Sequence, residues 1–405
     1  MGTDEISDMT VERVKYMSLV KVKEKRRVGA KASLFFLVLL SPLSLYANSL
    51  MYQSNYERTG VYDGYGPESE PVLAWKFDAG APVVGAILVY DDAVYFSDFE
   101  GGVYALNKSD GTLLWEKDLG GQPSLQVTLN EDVVLVGRRF SRDDDESYLI
   151  ALDRMTGEER WKFEPDDYSG IDAPTIYEGK VFLTSMLEHI FALDLLTGEE
   201  LWRREIQGGS RQLLISENVL YFQDDSQSVL AMEPETGELK WSRTLSDGKE
   251  NSFSTPAIDE CFIYATLIEH DAASLIKLNK VSGEVEKSFG MEFPTMSSVS
   301  VYEGSVFWGD YASGDGGSGY MNAMDAGTGE FLWRVKTEGP INSSAAIAGD
   351  TVYFGSHDHY LYAVDRHGGD VKWRYETEAG IASSPSVVDG RVYFGSIDGH
   401  VYVLE

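Results

Sequence analysis

The chain has 405 residues, 43% of them hydrophobic, with 66 acidic against 34 basic side chains and a formal net charge of −32. So acidic a chain excludes nucleic-acid binding, which needs lysine and arginine against phosphates, and it repels anionic membrane surfaces. The single cysteine, Cys261, excludes an internal disulfide.

The N-terminus reads as a targeting segment. Lys21, Lys23, Lys25, Arg26 and Arg27, reinforced by Lys31, precede an apolar run from Ala32 to Leu40 that continues to Ala47. Ala47-Asn48-Ser49 is a small-residue cleavage pattern, with cleavage after Ser49 or Ala47. This is the layout of a secretory signal over residues 1–49, and a start at Met17 would give a signal of ordinary length. The apolar run falls short of the roughly 20 residues of a membrane span, so an uncleaved anchor is the alternative. No cysteine stands at the end of the run, so no lipid anchor is expected. The expectation is export to the periplasm or beyond, with no stable membrane insertion once the signal is removed.

A lead-in over residues 50–70 is followed by repeats to the end of the chain. One motif first appears as Ala105-Leu-Asn-Lys-Ser-Asp-Gly-Thr-Leu-Leu-Trp115. It returns at Ala151 to Trp161, Ala192 to Trp202, Ala231 to Trp241, Ala323 to Trp333 and Ala363 to Trp373. Each copy reads as strand, tight turn, strand. The glycine supplies the positive φ of the turn, and the acidic or amide residue bonds turn backbone. A degenerate copy, Lys277-Leu-Asn-Lys-Val-Ser-Gly-Glu-Val-Glu-Lys287, keeps Gly283 but loses both alanine and tryptophan. Their joint loss implies that the two normally pack together.

Four short strands per unit, with outer-strand positions 39 to 46 residues apart, is the signature of a propeller blade. Leu73-Ala-Trp75-Lys-Phe77 holds the second half of a motif, and Tyr402-Val-Leu-Glu405 holds the first half. The N-terminal strand therefore completes the last blade, removing the exposed edges between the ends. Trp75, Trp115, Trp161, Trp202, Trp241, Lys287, Trp333 and Trp373 mark eight outer strands. The expected fold is all-β, an eight-bladed propeller of four-stranded antiparallel blades over residues 71–405, and monomeric. Seven blades, with the Lys287 unit collapsed, is the alternative.

The repeat resembles the pyrroloquinoline-quinone-type propeller family, whose tryptophan-docking motif is Ala-x-Asp-x-x-Thr-Gly-x-x-x-Trp. The lead-in Asn55-Tyr-Glu-Arg-Thr-Gly60 also looks like the mature N-termini of family members. Within that family the chain is similar to the propeller subunits of the outer-membrane barrel-assembly machinery. That likeness implies a cofactor-free scaffold working by protein contacts. It departs in one respect: those subunits are lipoproteins, and the required cysteine is missing here. The wider family also contains dehydrogenases that oxidise alcohols or sugars with a calcium-bound quinone. Such enzymes commonly carry adjacent cysteines, which a chain with one cysteine cannot supply.

With strands labelled A to D from the axis outward, A–B and C–D turns share one face, and B–C and D–A loops share the other. Length variation falls on the second face, at Arg138 to Glu146, Glu269 to Ala273 and Gly309 to Gly319. Loops on a rigid scaffold carry function, so a protein partner is expected to bind there. Trp308, Asp310 and Tyr311 are the candidate ligand residues, an exposed Trp-Tyr pair outside the repeat pattern that would stack on a sugar or quinone. Packing at a strand end is the competing account. Asp143 to Glu146, and Asp310 with Asp315, are weighed as cation sites against solvated loops. His357 and His359, with His189, His270 and His400 near equivalent turns, are weighed as metal ligands against polar turns. No metal site and no catalytic residue is expected. Ser343, Ser344, Ser383 and Ser384 read as packing at inner-strand starts, and Cys261 as a buried strand residue. The expected function is a non-catalytic envelope scaffold. The alternatives are a quinone- and calcium-dependent dehydrogenase and a polysaccharide-binding propeller.

Overall fold

The computed structural model describes residues 51–405 apart from 125, 139–146, 167–169, 186–187, 210–211, 247–253, 270–271 and 312–316. The described residues form eight four-stranded antiparallel sheets in simple meander order. Blade 1 consists of Leu88–Tyr90, Ala93–Ser97, Gly102–Asn107 and Leu113–Asp118. Blades 2 to 7 follow at 128–163, 175–205, 214–244, 257–291, 300–337 and 346–376. Blade 8 joins Ser386–Val388, Arg391–Gly395 and His400–Leu404 to the N-terminal strand Leu73–Asp78. The seven-blade alternative is therefore excluded. The Lys287 unit is a complete sheet.

First strands of neighbouring sheets touch one another, so they line the axis. The core lies between blades rather than within them. Each of eight apolar clusters combines side chains of two adjacent blades, and the one holding Trp75, Val89, Phe96, Tyr393 and Val403 joins blade 8 to blade 1. The ring is closed through its core as well as through its backbone, where Trp75 stands opposite Val403. Val72 and Glu405 exchange backbone hydrogen bonds at 2.9 and 3.0 Å.

The motif residues explain one another. Alanine and tryptophan are cross-strand partners, as with Ala105 and Trp115, and a β-bulge follows the alanine. The bulge adds local twist and turns the indole toward the next blade. There its Nε1–H donates to a backbone carbonyl in that blade's C–D turn: Trp115 to Arg154 at 2.9 Å, Trp161 to Leu195 at 2.9 Å, Trp333 to Arg366 at 2.7 Å. The turn glycine lies on the same indole. A Cβ at Gly198 would come within 2.5 Å of the Trp161 ring, in a backbone already at φ +73°.

Blade 5 divides the task between two side chains. Lys277, opposite Lys287 in place of the Ala–Trp pair, donates from Nζ to Ala326 O at 3.0 Å, the acceptor an indole would use. The Phe289 ring lies against Gly329, where a Cβ would come within 2.3 Å. The Lys277 ammonium also sits 3.9 Å from the Phe262 ring centroid, a favourable cation–π geometry.

Candidate functional site: axial channel and loop face

A propeller offers a ligand two concave places, its axial channel and its loop face. The channel is occupied by the protein's own lead-in. The inner edge of each first strand presents N–H groups that no further strand pairs, and lead-in carbonyls take them in succession. Ile215 N donates to Tyr56 O at 3.0 Å, Ile258 N to Glu57 O at 2.9 Å, Val301 N to Thr59 O at 2.9 Å and Ile347 N to Gly60 O at 2.8 Å. These four donors belong to blades 4, 5, 6 and 7. Tyr62 reaches blade 8 through its hydroxyl, which donates to Pro385 O at 3.2 Å.

Side chains seal the arrangement. Met51, Tyr52, Gln53 and Arg58 are buried. Arg58 donates to Tyr52 O at 2.6 Å, to Thr175 Oγ1 at 3.1 Å and to Leu213 O at 3.4 Å, with no carboxylate partner among the described residues. Burial lowers its pKa to about 10. Pro67 then completes the ring. Its carbonyl accepts from Trp373 Nε1 at 2.8 Å and from the Tyr353 hydroxyl at 3.1 Å. This is the place of the C–D turn carbonyl that blade 8 lacks, because its third and fourth strands come from opposite ends of the chain.

The serines at inner-strand starts form a relay between blades. Thr255 N donates to Ser298 Oγ, Ser298 N to Ser344 Oγ and Ser344 N to Ser384 Oγ, at 2.9 to 3.0 Å. Ser343 and Ser383 instead accept from Gly355 N and Gly395 N of their own blades. Every one of these hydroxyls is engaged, and Ser344 also meets the Tyr52 hydroxyl.

The candidate residues of blade 6 lie at the B–C end. Trp308 is 2% exposed, in the core between blades 5 and 6, and its ring faces Phe331 at 5.9 Å. It is the fourth residue of strand Ser305–Gly309, the place held by Phe96, Phe222, Phe354 and Phe394 in other blades. The exposed Trp-Tyr pair outside the repeat therefore does not form: Trp308 is a repeat core residue, while Tyr311 is half-buried. Asp310 follows its strand as Asp98 and Asp224 follow theirs. It accepts from Tyr320 N and Asn322 Nδ2, both at 2.9 Å, with Arg334 at 3.9 Å. Burial pushes its carboxyl up to about 6 despite those bonds. Asp98 does the same work in blade 1, accepting from the N–H groups of Glu100, Gly101 and Gly102 and from the Tyr104 hydroxyl.

His357 and His359 sit in the B–C turn of blade 7, where burial lowers the pKa of His357. His400 bonds Asp398 of its own turn at 3.2 Å, and His189 begins the third strand of blade 3. These histidines lie on separate blades, and among the described residues no group of three His, Cys, Asp or Glu side chains could hold a metal ion. Asp143 to Glu146, His270 and Asp315 lie outside the described residues. Cys261 departs from its expected place. It is exposed in the A–B turn of blade 5, because Asp259 accepts from the N–H groups of Cys261 and Phe262 and delays the strand to Phe262.

A quinone with its calcium does not fit the described residues. The channel holds the lead-in, the inner serines are spent on one another, and the one cysteine is on the A–B turn face. The channel-filling residues Tyr52, Gln53 and Arg58 are not singled out by sequence reasoning. Only Arg58 falls within the Asn55-Tyr-Glu-Arg-Thr-Gly60 stretch.

Comparison with known proteins bears on the same features. The profile of the family described as outer membrane protein assembly factor BamB matches residues 72–144, 100–287 and 317–405. The BamB protein of Shewanella oneidensis is 22% identical over 293 residues, covering 68% of this chain and 69% of that protein. A polyvinylalcohol dehydrogenase of Pseudomonas sp. is 28% identical over 116 residues, which cover 27% of this chain and only 18% of the dehydrogenase. The crystal structure of BamB from Moraxella catarrhalis superposes with a TM-score of 0.67 at 20% identity, covering 83% of this chain and all of that one; it shares the fold. The chain belongs to the outer membrane protein assembly factor BamB family.

Proposed function

We propose that this protein is a non-catalytic, exported binding propeller of the cell envelope, monomeric and free of cofactor, which holds protein partners through its B–C and D–A loops. The observation that carries this reading is the channel. The lead-in lies along the inner edges of the blades, where carbonyls of Tyr56, Glu57, Thr59 and Gly60 satisfy N–H groups of four blades. Binding then falls to the loop face, built on turns that Asp98, Asp224 and Asp310 hold in shape. Among the described residues no helix is long and apolar enough to cross a membrane. The secretory layout of residues 1–49 supports export, and the net charge of −32 disfavours direct docking on anionic lipid.

The likeness to a polyvinylalcohol dehydrogenase supports a second reading, a dehydrogenase using pyrroloquinoline quinone and calcium. Calorimetric titration of the purified protein with that quinone and calcium separates the two. No heat of binding is the expected result; stoichiometric binding at micromolar affinity or better overturns the scaffold reading. Partner contact is tested by a photo-crosslinker at Phe99, which is exposed in the B–C turn of blade 1. Crosslinks to envelope proteins from that position, absent from a crosslinker at exposed Leu196 on the opposite face, are expected.

A further inference from the structure

The first residues of the lead-in form a small loop closed on itself. Its backbone runs in turns and bends from Met51 to Glu57. Gly60 N donates to Gln53 O at 3.2 Å, Thr59 N to Asn55 Oδ1 at 3.0 Å and Arg58 Nη1 to Tyr52 O at 2.6 Å. A loop held by its own bonds docks and undocks as one piece. Beyond it the chain is fixed. Val61 bridges Ile347, the Tyr62 N–H donates to Ile347 O at 2.8 Å, and Tyr62 lies in the core between blades 7 and 8. Gly60, at φ +73°, stands between loop and anchor, at the place of a hinge.

The docked loop carries costs that a freed one sheds. Gln53, Ser54 and Arg58 take left-handed backbone, at φ 56°, 74° and 55°, which is unfavourable for any residue but glycine. Arg58 and Gln53 are 1% and 2% exposed, yet among the described residues Arg58 Nε and Gln53 Oε1 have no hydrogen-bond partner. Water would satisfy both on release. Neither Glu57 nor Arg58 makes an ion pair among the described residues. Against these costs stand the burial of Met51 and Tyr52 and three bonds, from Ile215, Ile258 and Val301 N–H to the carbonyls of Tyr56, Glu57 and Thr59. The ring itself is closed by Leu73–Asp78 and by the core between blades 8 and 1, to which the loop contributes nothing. It can therefore open while the propeller stays whole.

We propose that residues 51–59 are a strap across the inner edges of blades 4, 5 and 6, hinged at Gly60, which releases as one unit from the closed propeller and so gates its axis. Release frees the three inner-edge N–H groups, and with them the Ser344 hydroxyl that meets Tyr52 and the Ser300 hydroxyl that meets Gln53. The axis then presents a polar wall in place of a docked segment. The strap does not depend on the scaffold reading, which the quinone titration tests separately.

The test is hydrogen–deuterium exchange on the full protein, read amide by amide. Ile215, Ile258 and Val301 report on the strap. Tyr221, Tyr264 and Phe307, paired within the same three blades, report on the sheets. After correction for intrinsic rates, the strap amides should share one rate, about 100-fold or more above that of the sheet amides and insensitive to urea below the unfolding transition. Ser54→Gly removes a left-handed penalty and should slow that shared rate about threefold to fivefold, while Ser54→Ala should leave it within about twofold. Equal rates at all six amides would mean that the strap opens only when the protein unfolds. Rates graded downward from Ile215 to Val301 would mean fraying from one end. Either result overturns the proposal, as does a Ser54→Gly rate equal to that of wild type.

Discussion

Gly198 and Gly179 make a matched pair for measuring what the docking tryptophans contribute. Both lie in tight turns of blade 3, at φ +73° and +75°. A Cβ at Gly179 meets nothing within 4 Å, whereas one at Gly198 would come within 2.5 Å of Trp161. Gly179→Ala should therefore cost only the left-handed backbone penalty, about 1–2 kcal/mol. Gly198→Ala adds the displacement of a packed indole and strain on its 2.9 Å bond to Leu195 O, for about 2–5 kcal/mol in all. Urea denaturation followed by tryptophan fluorescence reads both as shifts in midpoint at constant slope. In a Trp161→Leu background the two substitutions should cost the same, since the neighbour that distinguishes them is gone. Equal costs in the wild-type background would refute the claim that the glycine is there for the indole.

Other consequences can be measured on the same protein. Lys277→Met keeps the stem of the side chain but removes the donor to Ala326 O, and should lower stability by about 1 kcal/mol, while Phe289→Ala, at a half-buried ring, should cost about 1–2 kcal/mol; neutrality of both in urea denaturation would show that blade 5 needs no substitute. Beginning the chain at Val72 should lower the midpoint and red-shift the emission of Trp373, which loses Pro67 O; unchanged emission would show that the bond is dispensable. Asp310 binds its proton more tightly folded, at about 6, than unfolded, near 3.8. The folded state therefore holds more protons between those values, and its stability falls as pH rises through them. Asp310→Asn should flatten that slope in thermal denaturation across pH 4 to 7, and a slope unchanged by the substitution would assign it to another group.

Blade number and closure were legible because the motif residues have no freedom of type. Only glycine fits under an indole at positive φ, and only a small residue suits the position across from Trp115. Blade 5 looked degenerate because its two substitutes act at different positions: Lys277 provides a donor, and Phe289 provides a ring two residues beyond Lys287. The plug was harder to see. Four of its contacts to blades 4 to 7 are made by backbone carbonyls, which leave no mark on side-chain identity, and among the described residues Arg58 is buried without the carboxylate that would have advertised it. Trp308 misled for the opposite reason. An aromatic change at a repeat position looks functional in sequence, yet in the fold it fills the volume that phenylalanine fills elsewhere.

Because the last blade takes its outer strand from Leu73–Asp78, its completion has a schedule. The chain emerges N-terminus first, so that strand waits for the rest of the propeller to follow before His400–Leu404 can pair with it. Throughout that wait Trp75 has no Val403 to cover it, and the strand remains an open edge. The interval ends only when His400–Leu404 are in place, so the ring is most exposed to misassociation while it is almost complete.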